Sequence, residues 1–255
     1  MINWNPSPTA IAFGSIEIRW YGLLFAAAFY TCYFVMRKAY KLEQKPLKNL
    51  DGLLNWMVLG TLGGARLGHC LFYNPGYYLS NPLEILKIWQ GGLASHGAVI
   101  GIVICCYFYA RKHPSQPFLW LCDRIAMACS LGAALVRTGN LMNSEIIGTP
   151  TKGSWAFVFE RIDNIPRHPA QLYEAIFCLI TFSIIYSFYR SKKQKVAHGQ
   201  LLGLFLILIF SFRFVVEFIK ERQTDFEVGL PLHMGQLLSI PAVTLGLYLF
   251  FRKKN

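Results

Sequence analysis

The chain has 255 residues, of which 54% are hydrophobic and 15% charged, with a formal net charge of +12. Soluble domains carry about 25% charged residues, so this composition excludes an ordinary soluble domain and points to one polytopic membrane domain over residues 1–255. The positive balance then suits anionic lipid headgroups at a cytoplasmic surface. No RNA-binding motif or basic–aromatic ladder supports a nucleic-acid partner.

The first sixteen residues contain no Lys or Arg, so the basic region of a cleavable signal peptide is missing. Seven mostly apolar runs follow, at about 17–37, 53–73, 92–110, 117–137, 168–189, 200–220 and 235–251. Each is near the roughly 20 residues needed to cross a hydrocarbon core of about 30 Å. The expected fold is therefore an all-α integral membrane protein of about seven transmembrane helices. The fourth span is the least regular, because Asp123 and Arg124 stand in its first turns. The seven cysteines, Cys32, Cys70, Cys105, Cys106, Cys122, Cys129 and Cys178, all fall in apolar runs without a CxxC pair. That spacing suits small packing residues better than a zinc site or a disulfide framework.

The connections alternate in charge. Arg37, Lys38, Lys41, Lys45 and Lys48 follow the first span, Arg111 and Lys112 the third, and Arg190, Lys192, Lys193 and Lys195 the fifth; Arg252, Lys253 and Lys254 close the chain. The other side is poorer, with Lys87, then Lys152, Arg161 and Arg167, then Lys220 and Arg222. The positive-inside rule places the N-terminus outside and the C-terminus in the cytoplasm. The longest connection, 138–167, is then an extracytoplasmic segment and a candidate for function.

This orientation sorts the polar groups of the spans. Tyr21, Ser95, His96, His168, Gln171, Tyr173 and Glu174 open the outward-to-inward spans, while Arg66, Arg137, Asn140, Arg213 and Glu217 close the inward-to-outward ones. At about 1.5 Å per residue, Arg213 lies roughly 10 Å below the outer end of its span. Polar groups gathered in one half predict a cavity open to the outer leaflet, since ionisable groups inside a membrane face a bundle interior or water. Arg213 and Glu217 are four apart on one helix and can pair. Arg66, Arg137 and Arg213 present planar guanidinium forks, which suit phosphate. His96 lies in a glycine-rich stretch, and imidazole is the side chain that exchanges a proton near neutral pH. No metal cluster or cofactor motif is visible. The competing classes are an anion transporter or channel, which the absence of an inverted repeat disfavours, and a non-catalytic lipid-binding protein.

The most informative stretch is Arg137-Thr-Gly-Asn140-Leu-Met-Asn143-Ser-Glu145-Ile-Ile-Gly148. It resembles the signature of the prolipoprotein diacylglyceryl transferases. The resemblance extends over Trp20-Tyr21-Gly22-Leu23, Gly64-Ala65-Arg66-Leu67-Gly68 with Phe72-Tyr73, and Gly91-Gly92-Leu-Ala-Ser95-His96-Gly97. It continues through Arg167-His168-Pro-Ala-Gln171-Leu-Tyr173-Glu174, Phe212-Arg213-Phe-Val-Val-Glu217-Phe218 and Met234-Gly235-Gln236.

The resemblance implies transfer of the diacylglyceryl group of phosphatidylglycerol to the lipobox cysteine of a prolipoprotein signal peptide, at the outer face of the bacterial cytoplasmic (inner) membrane, without a cofactor or metal. It implies catalytic parts for Tyr21, His96, Arg137, Asn140 and Arg213, and lipid contacts at Arg66, Arg137, Asn140, Gly148 and Arg213. Glu145, Glu217, His168, Gln171 and Glu174 are expected to support them. The chain departs from the pattern at Val136 and Ser144, where glycine is common, at Ile209, where tyrosine is usual, and at His233, where serine is common.

Overall fold

The computed structural model describes residues 1–14, 16–221 and 232–252. Arg222, Lys253 and Lys254, counted above among the loop charges, lie outside the described residues. Seven long helices fall on the seven apolar runs: α1 (Trp20–Leu42), α2 (Lys48–Phe72), α4 (Ser95–Lys112), α5 (Phe118–Asn143), α6 (Ala170–Ser191), α7 (Gln200–Val216) and α8 (Met234–Phe251). A short α3 (Pro75–Ser80) follows α2, and a 3-10 turn, Glu217–Ile219, extends α7. Among the described residues, four helices, α5, α6, α8 and α7 with its extension, are long and apolar enough to cross a membrane. The chain thus has the mostly helical architecture of a membrane protein. Its described residues form two compact units, Arg37–Cys122 and the remainder on either side of it.

Within the unit Arg37–Cys122, α2 and α4 meet backbone to backbone. Gly60, Gly64 and Gly68 recur every fourth residue on α2 and face Gly97 and Gly101 on α4. A Cβ at Gly101 would stand 2.0 Å from the Gly60 carbonyl oxygen, and one at Gly97 2.3 Å from that of Gly64. Lipid gives apolar helices no hydrophobic reason to associate, so small residues that permit close approach supply the packing. The ends of the unit are pinned by polar contacts. The Tyr40 hydroxyl donates to Gln116 Oε1 (2.6 Å), and the Trp120 indole to Glu43 Oε2 (2.6 Å).

The other unit repeats the device between α7 and α8, where Gly203 and Gly246 oppose each other. It also explains Asp123, the residue that made the fourth span irregular. Its carboxylate, fully buried on α5, accepts from the backbone N–H groups of Gly199 (2.7 Å) and Leu202 (2.8 Å). These are orphan donors at the start of α7, so Asp123 caps a helix other than its own. Arg124 beside it lies 3.4 Å from Asp123 Oδ2, and its guanidinium sits over the Tyr189 ring. The two charges satisfy each other and a helix terminus.

A small polar-side assembly, absent from the sequence expectation, joins the beginning of the chain to its middle. β1 (Ile2–Trp4) runs parallel to β4 (Phe157–Phe159), which pairs antiparallel with β5 (Pro166–Arg167). β2 (Thr9–Phe13) and β3 (Ile16–Arg19) form a separate antiparallel pair leading into α1. Phe157 and Phe159 pack with Leu141, Trp4, Ile147 and Leu172, and the Trp4 indole donates to the Leu141 carbonyl (2.9 Å). This apolar plug fixes the end of α5 and the segment after it.

The glycine seam generates a stability prediction. Gly101→Val forces α4 off α2 and is expected to cost at least about 1–3 kcal/mol, the usual range for overpacking. Thermal unfolding of the detergent-solubilised protein measures it; an unchanged melting temperature would show that the seam tolerates side chains.

Candidate active site

The signature stretch begins on α5. Helical geometry runs through Asn143, so Arg137 and Asn140, three residues apart, share a face. Gly139 lies under the Tyr21 ring of α1, where an added Cβ would meet Tyr21 Cδ2 at 3.0 Å. Ser144 ends the helix with φ +56°, and Ile146 follows with φ +58°. Positive φ is costly for residues with a Cβ, most of all for a β-branched one. A glycine at this position would adopt the turn without strain. Between the two strained residues, Glu145 is turned back onto the helix end.

Hydrogen bonds lock that turn. Asn140 Nδ2 donates to Glu145 Oε2 (3.1 Å) and Asn143 Nδ2 to Glu145 Oε1 (3.0 Å). The Gln171 side-chain amide, buried on α6, donates to the Glu145 carbonyl. Arg137 Nη1 approaches Asn140 Oδ1 at 3.4 Å. Glu145 thus acts as an acceptor for two amides that in turn orient the arginine side of the site.

A second chain of charges runs from Arg137 in the other direction. Arg137 Nε lies 3.1 Å from Glu174 Oε2, an ion-pair approach outside hydrogen-bond alignment. Glu174 Oε1 accepts from Lys220 Nζ (3.3 Å), which also donates to Glu217 Oε2 (3.2 Å). Glu174, Glu217 and Lys220 are all buried. The sequence suggested that Glu217 can pair with Arg213; the ion pair seen at Glu217 is with Lys220. The 3-10 turn at Glu217–Ile219 supplies the reason, because residues i and i+3 eclipse in that geometry. Among the described residues, no acceptor meets the buried Nε of Arg213.

Gly148 sits where two backbones converge. Its N–H donates to the His168 carbonyl (3.0 Å), and an added Cβ would lie 2.6 Å from that oxygen and 2.8 Å from the Ile219 carbonyl oxygen. Thr149 N donates to Ile219 O (2.8 Å) and Glu221 N to Ile147 O (3.2 Å), so the segment after the signature is clasped to the end of α7. Arg167 staples the clasp, reaching Asp163, Glu221 and the Gly148 carbonyl. His168 Nδ1 and the Tyr173 hydroxyl lie 3.2 Å apart.

Tyr21, Arg137, Asn140, Glu145, Gly148, His168, Gln171, Glu174, Arg213 and Glu217 therefore belong to one unit. Arg66 and His96 belong to Arg37–Cys122. There Arg66 is buried, and its guanidinium donates to the carbonyls of Ile85 (2.9 Å), Gly91 (2.6 Å), Gly92 (3.3 Å) and Glu84 (2.6 Å). It holds the connection after α3 in shape. His96 is exposed, with its ring 5.5 Å from Phe72 and 5.9 Å from Tyr73. Sequence reading missed Lys220, Arg167 and Glu221. Lys220 looked like one more loop charge; its place directly after an apolar run was the available signal.

The Arg167 staple carries a pH dependence. The Arg167 guanidinium holds the Asp163 carboxyl below its ordinary range. A depressed folded-state value means the contribution to stability is complete above about pH 3.9, the unfolded value. It is lost as pH falls through the lower folded value. Asp163→Asn is expected to lower the melting temperature at pH 7, with the gap to the unaltered protein closing below pH 4. A gap that does not narrow as pH falls below 4 would remove Asp163 as its source.

Similarities to other proteins converge on one family. The family model described as prolipoprotein diacylglyceryl transferase matches residues 8–252. The chain is 49% identical over 251 residues to the phosphatidylglycerol--prolipoprotein diacylglyceryl transferase of Chloroherpeton thalassium, an alignment spanning 98% of this chain and 94% of the relative. It is 47% identical to the protein of the same name from Tolumonas auensis (98% and 96% covered) and 46% identical to that of Bacteroides fragilis (98% and 94%).

Proposed function

The chain belongs to the prolipoprotein diacylglyceryl transferase family, and on that footing we propose that it transfers the sn-1,2-diacylglyceryl group of phosphatidylglycerol to the lipobox cysteine thiol of a prolipoprotein signal peptide. It is a multi-pass bacterial membrane protein. The finer reading is a single membrane domain with seven spans, N-terminus outside, in the cytoplasmic membrane, and a site facing the outer leaflet that includes the segment 138–167. Strand pairing supports the crossings. Paired strands share one side of the membrane, and β1 and β4 are separated by α1, α2, α4 and α5, an even number. The Gly148–Lys220 bridge is likewise separated by two helices, α6 and α7.

The observation that carries the reading is the chain of charges on apolar helices running from Arg137 through Glu174 and Lys220 to Glu217, with Arg213 four residues before Glu217 and its buried Nε without an acceptor among the described residues. The reaction asks for such groups. The cysteine sulfur bonds to C3 of the lipid glyceryl group, the C3–O bond to phosphate breaks, and glycerol 1-phosphate leaves with the electron pair. Thiolate is the attacking form, so the thiol must give up its proton. Charge grows on the leaving phosphate, and fixed donors in a low-dielectric site stabilise it most. Arg137 and Arg213 supply those donors, Asn140 orients the headgroup side, and Glu145, Glu217, Glu174 and Gln171 position them. His168 and Gly148 shape the segment after the signature. Arg66 acts by holding the 84–92 connection. His96, exposed in its own unit, is the base for the incoming thiol, with Tyr21 or the phosphate as the other groups able to take the proton.

Purified protein, phosphatidylglycerol and a lipobox peptide test this directly, by peptide mass and release of glycerol phosphate. Arg137→Ala is expected to lose about 10²–10³-fold in rate, as for loss of one charge-stabilising donor, while remaining folded because Glu174 keeps Lys220. Near-normal turnover by that variant sinks the phosphate-clamp role. For His96→Gln the rate is compared across pH. A loss of the pH-dependent limb supports the base, and an unchanged rate and profile rules it out.

A further inference from the structure

Lys220 is the buried cation that the transfer mechanism leaves without a task. Its side chain is 2% exposed, so it does not reach a lipid headgroup. Its Nζ lies 3.3 Å from Glu174 and 3.2 Å from Glu217. The Glu217 carboxylate is walled in on the far side by Gly235, where an added Cβ would stand 2.6 Å from Glu217 Cδ. The Lys220 backbone is bridged to Gly148, so the residue that gathers the carboxylates also clasps the signature segment.

We propose that Lys220 is a positioning residue: by serving as counter-ion to Glu174 and Glu217 it frees the charge of Arg137 and Arg213 for the phosphate of the lipid substrate. The charge count makes the point. Lys220 offsets one of the two negative charges that the buried Glu174 and Glu217 place beside it. A phosphodiester brings one negative charge. Glu145 takes its hydrogen bonds from two amides and stands the same whether or not Lys220 is present. Without Lys220, Glu174, whose other oxygen already lies 3.1 Å from Arg137 Nε, is left with that guanidinium as its ion-pair partner among the described residues. An unpaired buried carboxylate is costly enough to enforce this. Phosphate must then compete with a carboxylate fixed in place.

The inference rests on the transferase reading, and its test separates the two. Phosphatidylglycerol is titrated in mixed micelles at saturating lipobox peptide. No product from the unaltered protein counts against the transferase reading alone. With an active unaltered protein, Lys220→Met is expected to raise KM for phosphatidylglycerol about tenfold or more, the scale of breaking a buried charge pair, with kcat falling less. Lys220→Arg keeps the charge and restores most of the KM. Lys220→Met combined with Glu217→Gln removes one charge of each sign and brings KM at least halfway back on a logarithmic scale. A Lys220→Met protein with unaltered KM overturns the proposal, as does a folded double variant whose KM stays as high as that of the single. If Lys220→Met does not fold, the double variant decides. Failure of both to fold beside an active Lys220→Arg assigns Lys220 a purely structural part and also overturns it.

Discussion

Charge inside an apolar bundle has to be matched by opposite charge or hydrogen bonds. In this protein the matching is done by carboxylates shared between partners. Glu174 faces Lys220 with one oxygen and Arg137 with the other. Glu145 divides its oxygens between Asn140 and Asn143. Because each carboxylate bridges two side chains, α5, α6 and the end of α7 are tied at one depth. The clasp of 147–149 on 219–221, the Arg167 staple and the strained turn at Ser144 and Ile146 all arrange backbone around those two acids. An arginine held this way is oriented but only partly neutralised, which is the condition a phosphate site needs.

The two glycine seams serve the same end by different means. Where α2 meets α4, and α7 meets α8, close backbone contact replaces side-chain interdigitation. Rigid helix pairs leave little freedom for the residues they carry. Asp123 adds a longer-range constraint: one carboxylate on α5 sets where α7 begins, and Arg213 is carried thirteen residues beyond Gln200 on the same helix. The acid that looked like a flaw in an apolar span fixes the origin from which Arg213, the arginine proposed to meet phosphate, is measured out.

Much of this was legible in the residues. Apolar runs near twenty residues marked the seven long helices of the described residues, four of which are long and apolar enough to cross a membrane. The signature stretch was legible because polar side chains are rare in such runs. Three features were not. The strands are two to five residues long, too short for alternation to show. The partner of Glu217 depended on whether its turn was α or 3-10, which the run Glu217-Phe218-Ile219-Lys220 does not announce. Arg66 read as a phosphate ligand because a guanidinium in a span suggests an anion; four backbone carbonyls satisfied it instead. The glycines every fourth residue on α2 were visible in the sequence, but their meaning depends on a facing pair, Gly97 and Gly101, on a separate helix. His233 and Ile209 depart from the family pattern, and neither side chain has a structural explanation here; at the start of α8 it is the His233 backbone N–H that donates, to Gln236 Oε1 (3.0 Å).

The parallel pairing of residues 2–4 with 157–159 has a consequence for biogenesis. A chain is made from its N-terminus, and β1 is its first element, yet its partner strand is encoded after four long helices. Until residue 159 has left the ribosome and arrived on the same side of the membrane, β1 has no hydrogen-bonding mate and Trp4 has no Leu141 carbonyl to reach. Pairings of such sequence separation form late, since loop-closure entropy must be met first. β1 therefore stays unpaired until the four long helices encoded between the two strands have been made, while α6, α7 and α8 are still to come.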